Sequence, residues 1–445
     1  MWFRTRGETT LVFSVRHDGM WEPERGVGPN APHVYCRLRP SLYFDGNGRA
    51  WLTWTNQNLD NSLDVASSFW EDSGWSPEVQ VNTPDVDSLN AVSQIACGGG
   101  QVWCVWSGAR NSVANLSVYA SRWNGQTGRW GPKMQVSPAN GNCHWWTDVA
   151  VDSLGRPQVV WCETERTAIR NSYYDGLQWV GPFLVNDSSH VRAASYGDPH
   201  IALDRDGILH VSYTGVLVGT SRRDIFYARN DGTGWMSSVR VTHDTLHNYD
   251  EWYSDIAADS RDNVWIAWER QDEEPDQFRI YAVHFDGRLW SPEQRLDDSS
   301  AYYDESPAIA LDTLGFPCVA WDASRYGSAN DDVYFNHVLA PGAVSQNAPC
   351  APAAYGTAIR ALMTPTRRPA FSYTAPITGV ARLDVFDRSG RFVRGVSGRC
   401  AAGTQNYVLW DGCFPNGKSA PTGIYICRLW AGGISATCSF VLLSD

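Results

Sequence analysis

The chain has 445 residues, 43% of them hydrophobic and 19% charged, and a net charge of −12. That length exceeds one ordinary core and predicts more than one domain, while the lack of any apolar run of about 18 residues excludes a transmembrane helix. Residues 346–445 hold ten Arg and Lys against four Asp, a net of +6, which leaves −18 on residues 1–345. So acidic a surface repels phosphate backbones and argues against nucleic acid as a partner.

The start, Met1-Trp2-Phe3-Arg4-Thr5-Arg6, has no apolar h-region, so no signal peptide is visible. Downstream, a unit of 52 to 55 residues recurs. Its first piece is a hairpin of the form I-A-x-D-x-x-G followed by alternating apolar residues and an aromatic. It runs over 41–54, 149–161, 201–213, 256–268 and 309–321, with a degenerate copy at 95–106. The closing aromatics are Trp54, Trp106, Trp161, Tyr213, Trp268 and Trp321, spaced by 52, 55, 52, 55 and 53.

The second piece is a strand, an Asp- or Asn-Gly turn and a Trp that opens the next strand, at Trp21, Trp75, Trp130, Trp179, Trp235 and Trp290. Period-2 alternation makes these strands, and the Gly dipeptides make the turns tight. Two hairpins per unit give a four-stranded antiparallel sheet. Sheets of that size need neighbours to cover both faces, which radial stacking supplies.

The sequence therefore predicts an all-β chain: a β-propeller over 1–341, a linker over 342–370 and a β-sandwich over 371–445. Six copies suggest six blades, with the strand at Trp21 completing the last. A surplus third strand at 11–16, beside one at 332–338, fits seven blades if the N-terminus is truncated.

The eleven cysteines include no CxxC pair and no metal-type spacing with His, so neither a metal nor a cofactor is expected. Across the Gly432-Gly433 turn, Cys427 and Cys438 fall opposite each other if that turn is a two-residue hairpin. A disulfide and a pair of buried thiols both fit. No GxSxG elbow or P-loop occurs.

The tail reads VARLDVFDRSGRFVRGV at 380–396, YVLWDGCFPNGKSAPTGIYICRL at 407–429 and SFVLL at 439–443. It resembles the immunoglobulin-like (Ig-like) domain of flagellar hook-capping proteins and is similar to the C-terminal sorting domains of type IX-secreted bacterial proteins. That resemblance implies a secreted or cell-surface protein engaging a secretion machinery, and hence a leader upstream of Met1. Cys413, after the WDG, departs from the family pattern.

The turns EDSGW at 71–75, NDGTGW at 230–235 and DGLQW at 175–179 resemble the Asp-box of the bacterial neuraminidase repeat group, mostly without its Ser. There these residues build the fold. The Arg-Ile-Pro motif of sialidases is absent: Arg39-Pro40 aligns with Ser306-Pro307 of another repeat, and no arginine triad can be assigned.

Binding residues are expected on loops at one rim of the ring: His144, Trp145, Trp146, Tyr196, Asp250, Glu251, Trp252, Tyr303, Asp304 and Glu305 before the first strand, and Glu163 and Glu269 after the second. Aromatic rings beside carboxylates suit a sugar, which offers an apolar face and hydroxyls. The sequence thus predicts a non-catalytic binder of polysaccharide or surface protein. A carbohydrate-active hydrolase or lyase, with paired carboxylates at the channel mouth, is the alternative.

Overall fold

The computed structural model describes residues 2–4, 10–17, 20–27, 35, 38–71, 74–82, 89–109, 116–138, 143–163, 168–187, 189–194, 197–242, 249–260, 263–271, 277–297, 303–312, 315–324, 331–337, 359–361, 370–374, 379–388, 391–400, 405–414, 418–431 and 434–442. Among them every regular element is a β-strand. The chain divides into two compact units. The first comprises Met1–Arg295, Ser299–Ile309 and Ala320–Tyr334, and the second Leu296–Asp298, Ala310–Val319 and Phe335–Asp445.

Among the described residues the repeat appears as six antiparallel groups of strands in chain order, called sheets below; a parallel bridge at Leu63 and Leu89 joins the first to the second, and one at Phe278 and Tyr303 joins the fifth to the sixth. The first holds Ser41–Phe44, Ala50–Gln57 and Leu63–Glu71. The second holds Leu89–Gly98, Gln101–Ala109 and Ser117–Asn124. The third has all four strands, Cys143–Val151, Pro157–Glu163, Ala168–Tyr174 and Trp179–Leu184. The fourth opens with His200–Leu203, then Leu209–Leu217 and Arg223–Asn230. The fifth holds Glu251–Ser260, Asn263–Gln271 and Phe278–Phe285. The sixth holds Tyr303–Leu311, Pro317–Ser324 and Asp331–His337.

The D-x-x-G signature has a local cause. Asp152 Oδ1 accepts the backbone N–H groups of Leu154 and Arg156, and Asp204 Oδ1 accepts those of Asp206 and Ile208. Asp45 does the same for Asn47 and Arg49. The Asp side chain thus holds the turn closed, and the Gly that follows, with φ of 78° at Gly48 and Gly155 and 81° at Gly207, occupies the left-handed region that a side chain strains.

Consecutive sheets share their cores. Trp51 and Val65 of the first sheet meet Ile95, Cys104 and Trp106 of the second. Trp103, Val105 and Val118 of the second meet Val149, Val159 and Trp161 of the third. The third and fourth meet through Val160, Ile169, Val211 and Tyr213, and the fourth and fifth through Ile225, Tyr227, Ile266 and Trp268. Apolar residues on both faces of each strand are thereby removed from water, which explains why the closing Trp residues are among the most buried side chains in the protein.

The N-terminal strands behave differently from the six-blade expectation. Thr10–Phe13 pairs with Trp2–Arg4 and Arg25–Gly26 in a sheet of its own. Trp21 lies in a short hairpin, with Arg16 opposite it. Leu11, Phe13 and Val27 pack on Leu52, Trp54 and Ala66 of the first sheet, so their apolar faces are used there and not in completing the sixth.

In the second unit, Ile359–Ala361, Ala370–Thr374 and Gln405–Leu409 form a three-stranded sheet. Phe392–Cys400, Gly379–Asp387, Gly423–Ala431 and Ile434–Leu442 form a four-stranded one. One core joins them: Trp410, 1% exposed, lies among Phe371 and Tyr373 from the first and Leu383, Tyr425 and Phe440 from the second. Its indole donates to Cys413 O at 3.0 Å, so the WDG residues plug and pin this core.

Candidate functional site

One position of the repeat builds the site. Three residues before the apolar residue that opens each hairpin stand Arg39, Val92, Trp146, Asp198, Tyr253 and Ser306. Four of these six have a positive φ without being glycine: Val92 at 54°, Asp198 at 31°, Tyr253 at 42° and Ser306 at 58°. The strand register slips at the same place in the second, third and fifth sheets. This is a bulge repeated from sheet to sheet, and a bulge re-aims the side chain it carries at a cost of about 1–3 kcal/mol in backbone strain.

The re-aimed side chains meet. The Arg39 guanidinium lies 5.2 Å from the centre of the Tyr253 ring and 5.9 Å from that of Trp146. Trp146 and Tyr253 contact edge to face at 6.1 Å. Arg39 Nη2 also donates to Ser306 Oγ at 2.8 Å. Residues of the first, third, fifth and sixth sheets thus meet at one place.

Beneath this layer, the residue just before the hairpin's apolar residue stitches sheet to sheet. Ser41 Oγ accepts the N–H of Ile95, Asp148 Oδ2 that of Ile201, and Asp255 Oδ2 that of Ile309. The equivalent residue of the fourth sheet is His200. Its Nδ1 lies 3.5 Å from Asp148 and 3.4 Å from Asp255, and its Nε2 lies 3.3 Å from Asp198. Burial alone would hold this imidazole neutral, but Asp198 and Asp255 outweigh it and raise its pKa well above the usual value. His200 is therefore a largely enclosed imidazolium joining three sheets. Asp198 keeps one oxygen, Oδ2, buried and without a hydrogen-bond partner.

Glu269 follows the closing Trp268. It is 3% exposed and accepts the Ser306 N–H at 2.8 Å. Burial pushes its carboxyl up to about 8; the Glu305 charge adds to this, and Arg39 opposes it. At neutral pH it is a protonated acid, able to donate, in the electrostatic reach of Asp198 and Glu305. Glu269 thus joins the cluster through Ser306, and the charges of Arg39, Asp198 and Glu305 act on it. Among the described residues no group of three or more His, Cys, Asp and Glu is arranged to hold a metal ion; the carboxylates around His200 are turned to its imidazolium.

Of the residues expected from sequence, Trp146, Glu269 and Glu305 come together here, and Trp252 stacks on Tyr253 at 6.2 Å. Others are bound inside their own sheets. Glu251 is fully buried and accepts from Trp268 Nε1 at 2.6 Å and Arg270 Nε at 2.8 Å. Asp304 accepts from Trp321 Nε1 at 2.8 Å, and in the second sheet Asn90 accepts from Trp106 at 3.0 Å. This is one repeat position, 16 or 17 residues before the closing aromatic, and it receives the indole N–H.

Glu163 pairs with Arg170 at 3.1 Å, and Asp250 with Arg223 at 2.7 Å. Arg223 in turn covers the Trp252 ring at 4.0 Å. Tyr303 packs on Phe278 at 6.2 Å. The side chains of His144 and Trp145, and all of Tyr196, lie outside the described residues.

Sequence reasoning aligned Arg39 with Ser306 and put Asp198 and Tyr253 in the same loops, but it assigned neither Arg39 nor Ser306 to the site and passed over His200. The available signal was positional: superposing the repeats on the hairpin Ile puts Arg39, Asp198, Tyr253 and Ser306 in one column, with His200 two places on.

No known protein family matches the chain, and no curated protein matches it. Solved structures do. A protein of unknown function from Dyadobacter fermentans is 14% identical, with a TM-score of 0.47 over 68% of this chain and 93% of that one. An ulvan lyase, described as a new family of polysaccharide lyase, is 8% identical, with a TM-score of 0.48 over 75% and 90%. PorZ, a bacterial surface component of the type IX secretion system of Porphyromonas gingivalis, is 13% identical, with a TM-score of 0.42 over 95% and 62%. All three likenesses are distant. No helix of the described chain is long and apolar enough to cross a membrane.

Proposed function

We propose that the protein is a propeller that binds a carbohydrate at the axial cluster of Arg39, Trp146, Asp198, Tyr253, Glu269, Glu305 and Ser306. The observation that carries this reading is the meeting of Arg39, Trp146, Tyr253 and Ser306 from one repeat position, with Trp146 Nε1 and, at the same position of the fourth sheet, Asp198 Oδ2 buried and without a hydrogen-bond partner among the described residues. A sugar supplies what those groups lack: hydroxyls for the buried acceptor and donor, and C–H faces for the rings. The guanidinium suits an acidic sugar, although the surrounding acidic surface works against one.

In this reading the propeller spans 1–341, a linker 342–370 and an Ig-like sandwich 371–445. The N-terminal sheet stands as a seventh blade, because its strands pair with one another. The tail attaches a secreted chain to the cell surface through a secretion machinery, and its partners are polysaccharide or surface protein.

Glu269 favours a second reading, cleavage. A protonated acid near ionised carboxylates is the pairing that glycoside hydrolysis uses. A glycan-binding screen run beside an assay for released reducing or unsaturated ends separates the two. Binding without release supports the binder, release supports the enzyme, and neither one contradicts the site.

A further inference from the structure

We infer that Cys427 and Cys438 are a disulfide-forming pair, closed by a thiol–disulfide exchange partner. The two stand directly opposite each other in the antiparallel ladder of Gly423–Ala431 and Ile434–Leu442. Residues so placed have Cα atoms about 4.5–5.5 Å apart, inside the roughly 4.4–6.8 Å that a disulfide spans. Their sulfurs are 3.2 Å apart in the dithiol form, so no backbone rearrangement is needed to join them. Cys427 belongs to the core around Trp410, and Cys438 packs against the same core, so both side chains share one face of the sheet.

The two thiols differ in access. Cys427 is fully buried and Cys438 partly exposed. Cys438 is therefore the sulfur an external disulfide reaches. Its thiolate attacks that disulfide, forming a mixed disulfide and releasing one thiolate. Cys427 then gives up its proton, attacks Cys438 and releases the second thiolate. Two protein thiols are oxidised, one reagent disulfide is reduced to two thiols, and no other co-reactant is consumed. Burial pushes the Cys427 thiol up, so the second step is the slow one and the closed bond, once made, is shielded.

The test uses the intact chain and glutathione disulfide. Trypsin cuts after Lys418 and Arg428, which places Cys427 on the peptide 419–428 and Cys438 on 429–445. After oxidation, blocking of free thiols and digestion, mass spectrometry should find these two peptides joined and lighter by two hydrogens, and parted by reduction. The joined pair should persist in C413A, and closing it should raise the unfolding temperature of the four-stranded sheet's unit by a few degrees. Separately blocked peptides, glutathione left on Cys438, or Cys427 or Cys438 bonded to another cysteine would each overturn the inference.

Discussion

Arg39 donates from Nη2 to Ser306 Oγ at 2.8 Å across 267 residues of chain, and the two occupy the same position in the first and sixth repeats. The contact links equivalent residues of the first and sixth repeat sheets. It also sets Arg39 against Trp146 and Tyr253, so this link and the candidate site share one side chain.

Arg39→Ala should therefore weaken both. Loss of a charge-assisted hydrogen bond and of the ring contacts is expected to cost about 1–3 kcal/mol, while circular dichroism remains that of the same β protein. Thermal unfolding checks this, and an unchanged midpoint contradicts it.

Glu251 and Asp304 illustrate how a conspicuous carboxylate can be structural. Glu251→Ala leaves Trp268 Nε1 and Arg270 Nε without the acceptor they share, Arg270 keeping Glu293, and orphaning buried donors costs about 1–3 kcal/mol each. The loss should appear as reduced stability in denaturant titrations. Glu305→Gln, at a half-exposed position, should change stability little and ligand binding more.

Raised pKa values at three groups make stability fall toward alkaline pH. Burial raises the folded pKa of Glu269 and of Glu251 to about 8, above the ordinary carboxyl range, and His200 is raised well above 6.5. In each case the folded state holds its proton more tightly than the unfolded chain. The stability they confer is full below the unfolded pKa and is lost as pH rises through the folded one. Unfolding free energy should fall from mildly acidic toward alkaline pH, and Glu269→Gln should remove its share of the loss between about pH 4.5 and 8. A wild type whose stability rises across that window contradicts the assignment.

Two glycines separate backbone strain from collision. A Cβ at Gly207 meets nothing within 4 Å, but φ is +81°, so Gly207→Ala should cost about 1–2 kcal/mol for the left-handed conformation alone. A Cβ at Gly98 would lie 2.3 Å from Val151 O, in the backbone of the next sheet. Gly98→Ala should force the second and third sheets apart and cost more than Gly207→Ala, as paired denaturant melts would measure.

The hairpins were legible because their causes are local. Asp204 and Gly207 cap and bend the same four-residue turn, and the closing Trp residues announce the buried face of each sheet. The place of the N-terminal strand stays open between six and seven blades in the sequence because Leu11 and Phe13 carry the same alternation wherever they pack; their contacts with Leu52 and Trp54 show the face they bury. The site was half legible. Trp146, Glu269 and Glu305 have the residue types that binding chemistry favours. Arg39 and Ser306 share no chemical type with them, and His200 reads as an ordinary strand residue. Arg39 and Ser306 share a place in the repeat, which in several sheets carries a bulge, and a bulge depends on pairing that residue types do not encode.

The most direct measurement is calorimetric titration of wild type, Trp146→Ala, Arg39→Ala and Asp250→Asn with oligosaccharides selected in a glycan screen. The axial site predicts saturable binding by wild type, weakened about tenfold or more, some 1.4 kcal/mol, in Trp146→Ala and Arg39→Ala and kept in Asp250→Asn, whose carboxylate is committed to Arg223. Equal affinity in all four proteins, or no binding by wild type to any glycan, would contradict it.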